Sequence, residues 1–227
     1  MPEFDFTTLF FAVVAVAVAV RLYFTLGKHA PTDAERGSNV VNLRRAGPTE
    51  AAPASVRAAP ADDEARWRGC APPGSPAERG LAAIAAADRT FDARAFLSGA
   101  AAAYPMIVKA FAAGDSAALR PLLAPEVFAQ FAAQIAARKG AGRVASVAFV
   151  GAPTAEIASA SLEGGHAHVG VRFSARLISA VRDSAGAVVE GSAETPEAHS
   201  DLWTFSRDPA SKDPNWALVA TEAVDPA

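Results

Sequence analysis

Residues 166–181 read HAHVGVRFSARLISAV. His166, His168, Gly170, Arg172 and Ser174 alternate with Ala167, Val169, Val171 and Phe173. A period of two belongs to a strand, whose successive side chains point to opposite faces. The spacing predicts one long strand reaching about Val181. Upstream, RVASVAFVGAPTAEIASASLEGG (143–165) has strand character on both sides of Pro153. Downstream, RDSAGAVVEG (182–191) supplies a turn and a short extension. DLWTFSRD (201–208) and NWALVATEA (215–223) read as two further strands joined by a Pro- and Asp-rich loop.

Before this run of strands the period is helical. Asp92 is a suitable N-cap. After it Phe96, Ala100, Ala103, Tyr104, Ile107, Val108 and Phe111 recur at three- and four-residue spacing. Pro105 lies inside the pattern and removes one hydrogen bond. Gly114 and Asp115 end this helix. ALRPLLA (118–124) predicts a short helix, and Pro125 opens a longer one in which Val127, Phe128, Phe131 and Ile135 share a face up to Gly140. Helices followed by several antiparallel strands predict an α+β domain over residues 81–227.

The rest of the chain reads differently. The sequence has 227 residues, 51% of them hydrophobic and 20% charged, which suits one domain plus appendages. Its net charge of −3 lacks the broad basic field of a nucleic-acid binder. One cysteine, Cys70, excludes an internal disulfide framework and a cysteine-based zinc site. Residues 27–80 carry Pro31, Pro48, Pro53, Pro60, Pro72, Pro73 and Pro76 among Ala, Gly and mixed charges. No periodic apolar face persists there, so the segment reads as a disordered linker. Within it Trp67, between Arg66 and Arg68, reads as a lone aromatic on the tether, with a partner-docking motif as the alternative.

Residues 9–20, LFFAVVAVAVAV, are apolar without interruption. Extended over 6–26 the run covers about 21 residues, or about 31 Å of helix. Leu9, Phe10, Phe11, Val14 and Val18 are its anchoring residues, and Arg21 can snorkel near one end. A cleaved signal peptide would start with a basic region, whereas Glu3 and Asp5 stand here. A buried soluble helix would be amphipathic rather than apolar all round. An uncleaved transmembrane helix fits best. Arg21, Lys28, Arg36, Arg44 and Arg45 all follow it, which predicts the N-terminus outside and the C-terminal domain in the cytoplasm.

The chain resembles bacterial membrane-anchored members of the Tim44-like family. The resemblance is carried by FDARAFLSGAAAAYPMIVKAFAAGD (91–115), LRPLLAPEVFAQF (119–131), VRFSARLISAVRD (171–183), DLWTFSRD and DPNWALVATEA (213–223). It implies a cone similar to nuclear transport factor two, with helices packed on a curved antiparallel sheet and a pocket between them. It implies a scaffold rather than a catalyst. The mitochondrial relative tethers a seventy-kilodalton heat-shock chaperone to the inner-membrane translocase, and its domain contacts cardiolipin. Other relatives hold mitochondrial ribosomes near the membrane. No counterpart of the chaperone-recruiting region is visible, so chaperone binding does not carry over residue by residue. The expected partners are the lipid bilayer and membrane or envelope proteins of the bacterial inner membrane, a chaperone or translocase among them. No nucleic acid and no cofactor is expected.

Cones of this type also host pocket enzymes that use an Asp–His pair or a buried Asp. His166 and His168 share a strand face and with His199 offer three candidate metal ligands, but nothing in the sequence fixes His199 near them, and they read as exposed histidines beside the Glu163–Gly165 turn. Asp183 and Asp201 fall at predicted strand edges and read as solvated. Ser174, Ser179 and Ser200 lack a nucleophile context. No catalytic residue and no metal site is assigned. The candidate pocket or partner surface is Tyr104, Phe111, Arg172, Phe173, Arg176 and Trp203. A buried Asp–His pair at the pocket floor would favour an enzyme or small-ligand carrier, and an apolar pocket without titratable pairs would favour an adaptor.

Overall fold

A computed structural model describes residues 64–225 of the chain. The proposed membrane segment, with Leu9 to Arg21, and most of the proposed linker lie outside the described residues. Among the described residues four helices precede six strands: α1 (Pro76–Ala87), α2 (Ala93–Ala113), α3 (Ser116–Leu119), α4 (Pro125–Gly140), β1 (Val144–Phe149), β2 (Thr154–Glu163), β3 (His166–Arg182), β4 (Val188–Gly191), β5 (Glu197–Arg207) and β6 (Ala217–Val224). All the strands join one antiparallel sheet built around β3, which pairs with β1, β2, β4 and β5, while β6 pairs with β5. The 17-residue β3 is long enough to hold β2 along its first half and β1 along its second.

The alternation in β3 decides which face is the core. Ala167, Val169, Val171, Phe173, Ala175 and Leu177 are buried, while Arg172 is half-buried and Ser174 and Arg176 are exposed. Directly opposed residues of an antiparallel pair share a face. Trp203 and Phe205 oppose Val171 and Val169 and are buried with them. α2 lies across this face and buries Phe96, Ala100, Tyr104, Ile107 and Phe111. Each such large apolar side chain contributes roughly 1.5–3 kcal/mol on burial. Among the described residues α2 is the one helix long and apolar enough to cross a membrane. Its Tyr104 side is core, however, with the ring stacked on Phe173 at 4.4 Å and set edge-on to Phe149 at 5.8 Å.

The local signals for α2 operate as the sequence suggests. The Asp92 carboxylate accepts from the Ala95 N–H, and Gly114 closes the helix at φ 69°. Such a cap contributes about 1 kcal/mol. The last carbonyls of the helix are met by side chains from α4. Arg138 donates to the carbonyls of Phe111 (2.6 Å) and Ala112 (2.9 Å), and Lys139 donates to that of Gly114 (3.1 Å). The short helix ends at Leu119, earlier than 118–124 suggested. Arg120 keeps right-handed helical angles, φ −52° and ψ −44°, but Pro121 has no N–H with which to carry the helix on. The chain then turns to exchange backbone bonds with β6, Leu218 N–H to Leu122 and Ala124 N–H to Leu218.

The domain also begins earlier than residue 81. α1 starts at Pro76 and is capped by Ser75, whose hydroxyl accepts from the Glu78 N–H. Ahead of it Trp67, Cys70 and Ala71 pack against the core. Trp67 is therefore not a lone aromatic on a tether. Arg66 donates to the carbonyls of Asp88, Arg89 and Phe91 at 2.7–3.3 Å, and Arg94 donates to those of Ala65 and Arg68. These long-range bonds connect groups more than 20 residues apart, so no local period could announce them. Burial pushes the Cys70 thiol pKa up, the inert rather than the reactive direction. α1 approaches β2 so closely that a Cβ on Gly80 would lie 1.9 Å from the Ala160 carbonyl oxygen.

Candidate functional site

Between the core face of the sheet and the helices lies a cavity of about 290 Å³. Its walls are Ile107, Val108 and Phe111 of α2, Phe131 of α4, Val147 of β1 and Leu177 of β3. Its polar side comes from β5, where Glu197, His199, Ser200, Asp201 and Trp203 line it, with Glu190 of β4 and Asp225 beyond β6. Of the residues singled out in the sequence, Tyr104, Phe111 and Trp203 line the cavity. Phe173 supports it from within the core, stacked on Tyr104. Arg172 and Arg176 do not join them. They project from the opposite, outer face of β3, where Arg172 pairs with Glu156 at 3.4 Å. The candidate surface is thus two surfaces separated by the sheet.

The sequence reading of Asp201 as a solvated strand-edge acid is corrected. Strand β5 begins at Glu197, so Asp201 sits in its middle. It opposes Phe173 and is 4% exposed. The Tyr104 hydroxyl donates to its Oδ2 at 2.5 Å. Burial pushes the Asp201 pKa above the ordinary carboxylate range, while the Tyr104 hydrogen bond and the charge of His199 act the other way. Burial, then the charge of Asp201, raises Tyr104 as well, so the phenol keeps its proton and remains the donor. A sequence signal for this existed. Counting back by two from Phe205 and Trp203 reaches Asp201 and His199.

The three histidines do not converge. His166 and His168 occupy outward positions of β3, with ring centroids 6.5 Å apart. Burial, foremost, lowers the pKa of His168. His199 opposes core-facing Ala175 on the other side of the sheet. Among the described residues no group of three or more His, Cys, Asp or Glu is placed to hold a metal ion. Asp183 is a turn former, accepting from the Ala185 and Ala187 N–H groups at 2.9 Å. The cavity thus combines apolar walls with a buried acid–phenol pair and a histidine near that acid.

These groups give a pH-dependent expectation. An acid whose folded pKa is raised holds its proton more tightly when folded. Its contribution to stability is full below the ordinary carboxylate range and is lost as pH rises through the raised value. Asp201→Asn has no such proton to lose. Melting temperature, variant minus wild type, is expected to increase from about pH 4 to about pH 8. A difference that stays flat would show that Asp201 is not the titrating group.

A family model described as Tim44-like domain matches residues 77–223, more than half of the chain. The chain belongs to the Tim44-like family. The matched Tim44-like domain spans α1 to β6 and includes both faces of the sheet and the cavity. A search of curated proteins finds no match. Among solved structures, the domain is similar to the intermembrane space region of the chloroplast protein ARC6. That likeness has 12% identity and a TM-score of 0.39, and covers 56% of this chain and 93% of the other.

Proposed function

We propose that the chain is a non-catalytic adaptor of the bacterial inner membrane. In this reading residues 6–26 span the bilayer, the following segment up to about residue 63 is a tether, and the Tim44-like domain faces the cytoplasm. The observation that carries the reading is the family match over residues 77–223. A tether of this kind raises the effective concentration of the domain at a membrane-bound partner without fixing its orientation. The basic residues after residue 20 support the orientation, and Arg172 and Arg176 on the outer sheet face offer charge to anionic head groups or to acidic protein surfaces.

The test is crosslinking in cells, mild detergent extraction and mass spectrometry of what the tagged chain retains, beside an Arg172→Ala/Arg176→Ala variant. The expected result is a small set of membrane or envelope proteins enriched over a control carrying residues 1–63 alone, and reduced in the variant. Retention of lipid and background protein only would remove the adaptor reading. A second reading, a membrane-held carrier of a small ligand, is favoured by the buried Tyr104–Asp201 pair in a cavity whose helix side is apolar.

A further inference from the structure

We propose that the cavity holds a segment of the same chain, residues 39–45 (NVVNLRR), with Leu43 inside it and Arg44 and Arg45 at its rim. The inference goes beyond the adaptor reading and does not rest on it. Three features of the cavity select such an occupant. Its helix-side walls are apolar, from Ile107, Val108 and Phe111 to Phe131. Its rim is acidic, because Glu197 and Asp225 line it and are exposed, and no Lys or Arg is among its described lining residues. On its wall Trp203 is 2% exposed, and the fold gives the indole N–H no acceptor. Native structures rarely leave a buried donor unmade without a reason. A basic peptide brings apolar side chains, cationic ends and carbonyl acceptors together, so no single group has to serve all three features.

The chain ahead of the domain contains one segment of that composition. Between residues 27 and 63 the large apolar residues are Val40, Val41, Leu43 and Val56, and three of these four fall within 39–45. Arg44 and Arg45 follow Leu43 directly, and no Asp or Glu occurs from residue 36 to residue 49. The apolar run 6–26 lacks the cationic half of the match, since Arg21 is its one basic residue. Size agrees as well. Leu43 shares a side with Val41 in an extended backbone and with Val40 in a helical one. Either pair has seven side-chain carbons, about 210 Å³ at ~30 Å³ per water-sized group, and the cavity of about 290 Å³ accommodates them. Residues 46–63 span up to ~60 Å, more than the ~40 Å width of a domain of this size, so the segment can reach any face of it.

The test is disulfide trapping in the full chain, held in phospholipid nanodiscs and carrying Cys70→Ala and Asn42→Cys. A second cysteine is placed at the cavity, Gln134→Cys, or away from it on the exposed side of α2, Ser98→Cys. Ser98 stands about one helical turn from Arg94, which holds the carbonyls of Ala65 and Arg68, so an undocked segment would meet it at least as often as Gln134. Mild oxidation is expected to join position 42 to position 134 at least about tenfold faster than to position 98. Leu43→Asp/Arg44→Glu/Arg45→Glu leaves every residue of the domain unchanged and is expected to abolish the preference. Arg44→Glu/Arg45→Glu alone is expected to reduce it severalfold, and Glu197→Arg/Asp225→Arg at the exposed rim to restore it. Equal rates overturn the proposal, as do a preference that survives the triple variant, a charge reversal without rescue, and a disulfide formed between two chains rather than within one.

Discussion

Arg207→Met is expected to lower the free energy of unfolding by about 3–5 kcal/mol, the usual cost of leaving one partner of a buried ion pair uncompensated. Arg207 Nη2 lies 2.9 Å from Asp88 Oδ2, and the two side chains are 11% and 7% exposed. The pair ties the end of β5 to the turn between α1 and α2. Burial alone would raise the Asp88 pKa, but hydrogen bonds from the Thr90 hydroxyl and N–H, together with Arg207, overcome it and hold the carboxyl below its ordinary value. That lowered pKa stabilises the fold above the ordinary carboxylate range, and the contribution is lost as pH falls through the lowered value. The deficit of the variant should therefore shrink towards acid. For a domain of this size the loss corresponds to roughly 2–4 °C per kcal/mol in melting temperature. Asp88→Asn/Arg207→Met, which removes both charges, is expected to recover part of the loss. A single variant within about 1 kcal/mol of wild type would show that the pair is effectively solvated.

A chain that starts at residue 81 is expected to be unfolded at 37 °C, whereas one that starts at residue 64 folds, as judged by circular dichroism and melting temperature. Starting at 81 removes the first turn of α1 with its Ser75 cap, the buried Ala71 and Ala77, and the packing of Trp67 and Cys70. It also removes Arg66, which donates to the carbonyls of Ala85, Asp88, Arg89 and Phe91 around the end of α1. Hydrogen bonds to a charged donor contribute about 1.5–3 kcal/mol each at most. Even a fraction of that, with the lost burial, rivals the ~5–15 kcal/mol total stability of a domain. Cooperative folding with a near-native melting temperature from residue 81 would show that the 64–80 segment is an accessory.

The same residues show why some features were legible in the sequence and others were not. Asp92 and Gly114 bound α2 because a cap acts on the backbone within a few residues. Phe96, Tyr104, Ile107 and Phe111 were legible as one buried face because helical spacing alone puts them there. The period of two in β3 separated Phe173 from Arg172 before any partner strand was known. Asp201 falls at an edge in the sequence reading because that reading starts the strand four residues too late. Glu197, His199 and Ser200 are polar, so no apolar alternation announces the start of the strand.

From the sequence alone, then, came the order of helices and strands, the core faces of α2 and β3, and the family. Each rests on interactions between residues close in the chain or on a pattern that repeats along it. Only the tertiary structure decided that residues 64–80 belong to the domain, that Tyr104 bonds Asp201 across 97 positions, that His199 lies on the opposite face from His166 and His168, and that the arginines stand behind the sheet from the cavity. Those outcomes depend on which distant surfaces meet. A buried carboxylate can find a phenol, and Arg66 a set of helix-end carbonyls, only after the chain has folded back and excluded the water that would otherwise satisfy both.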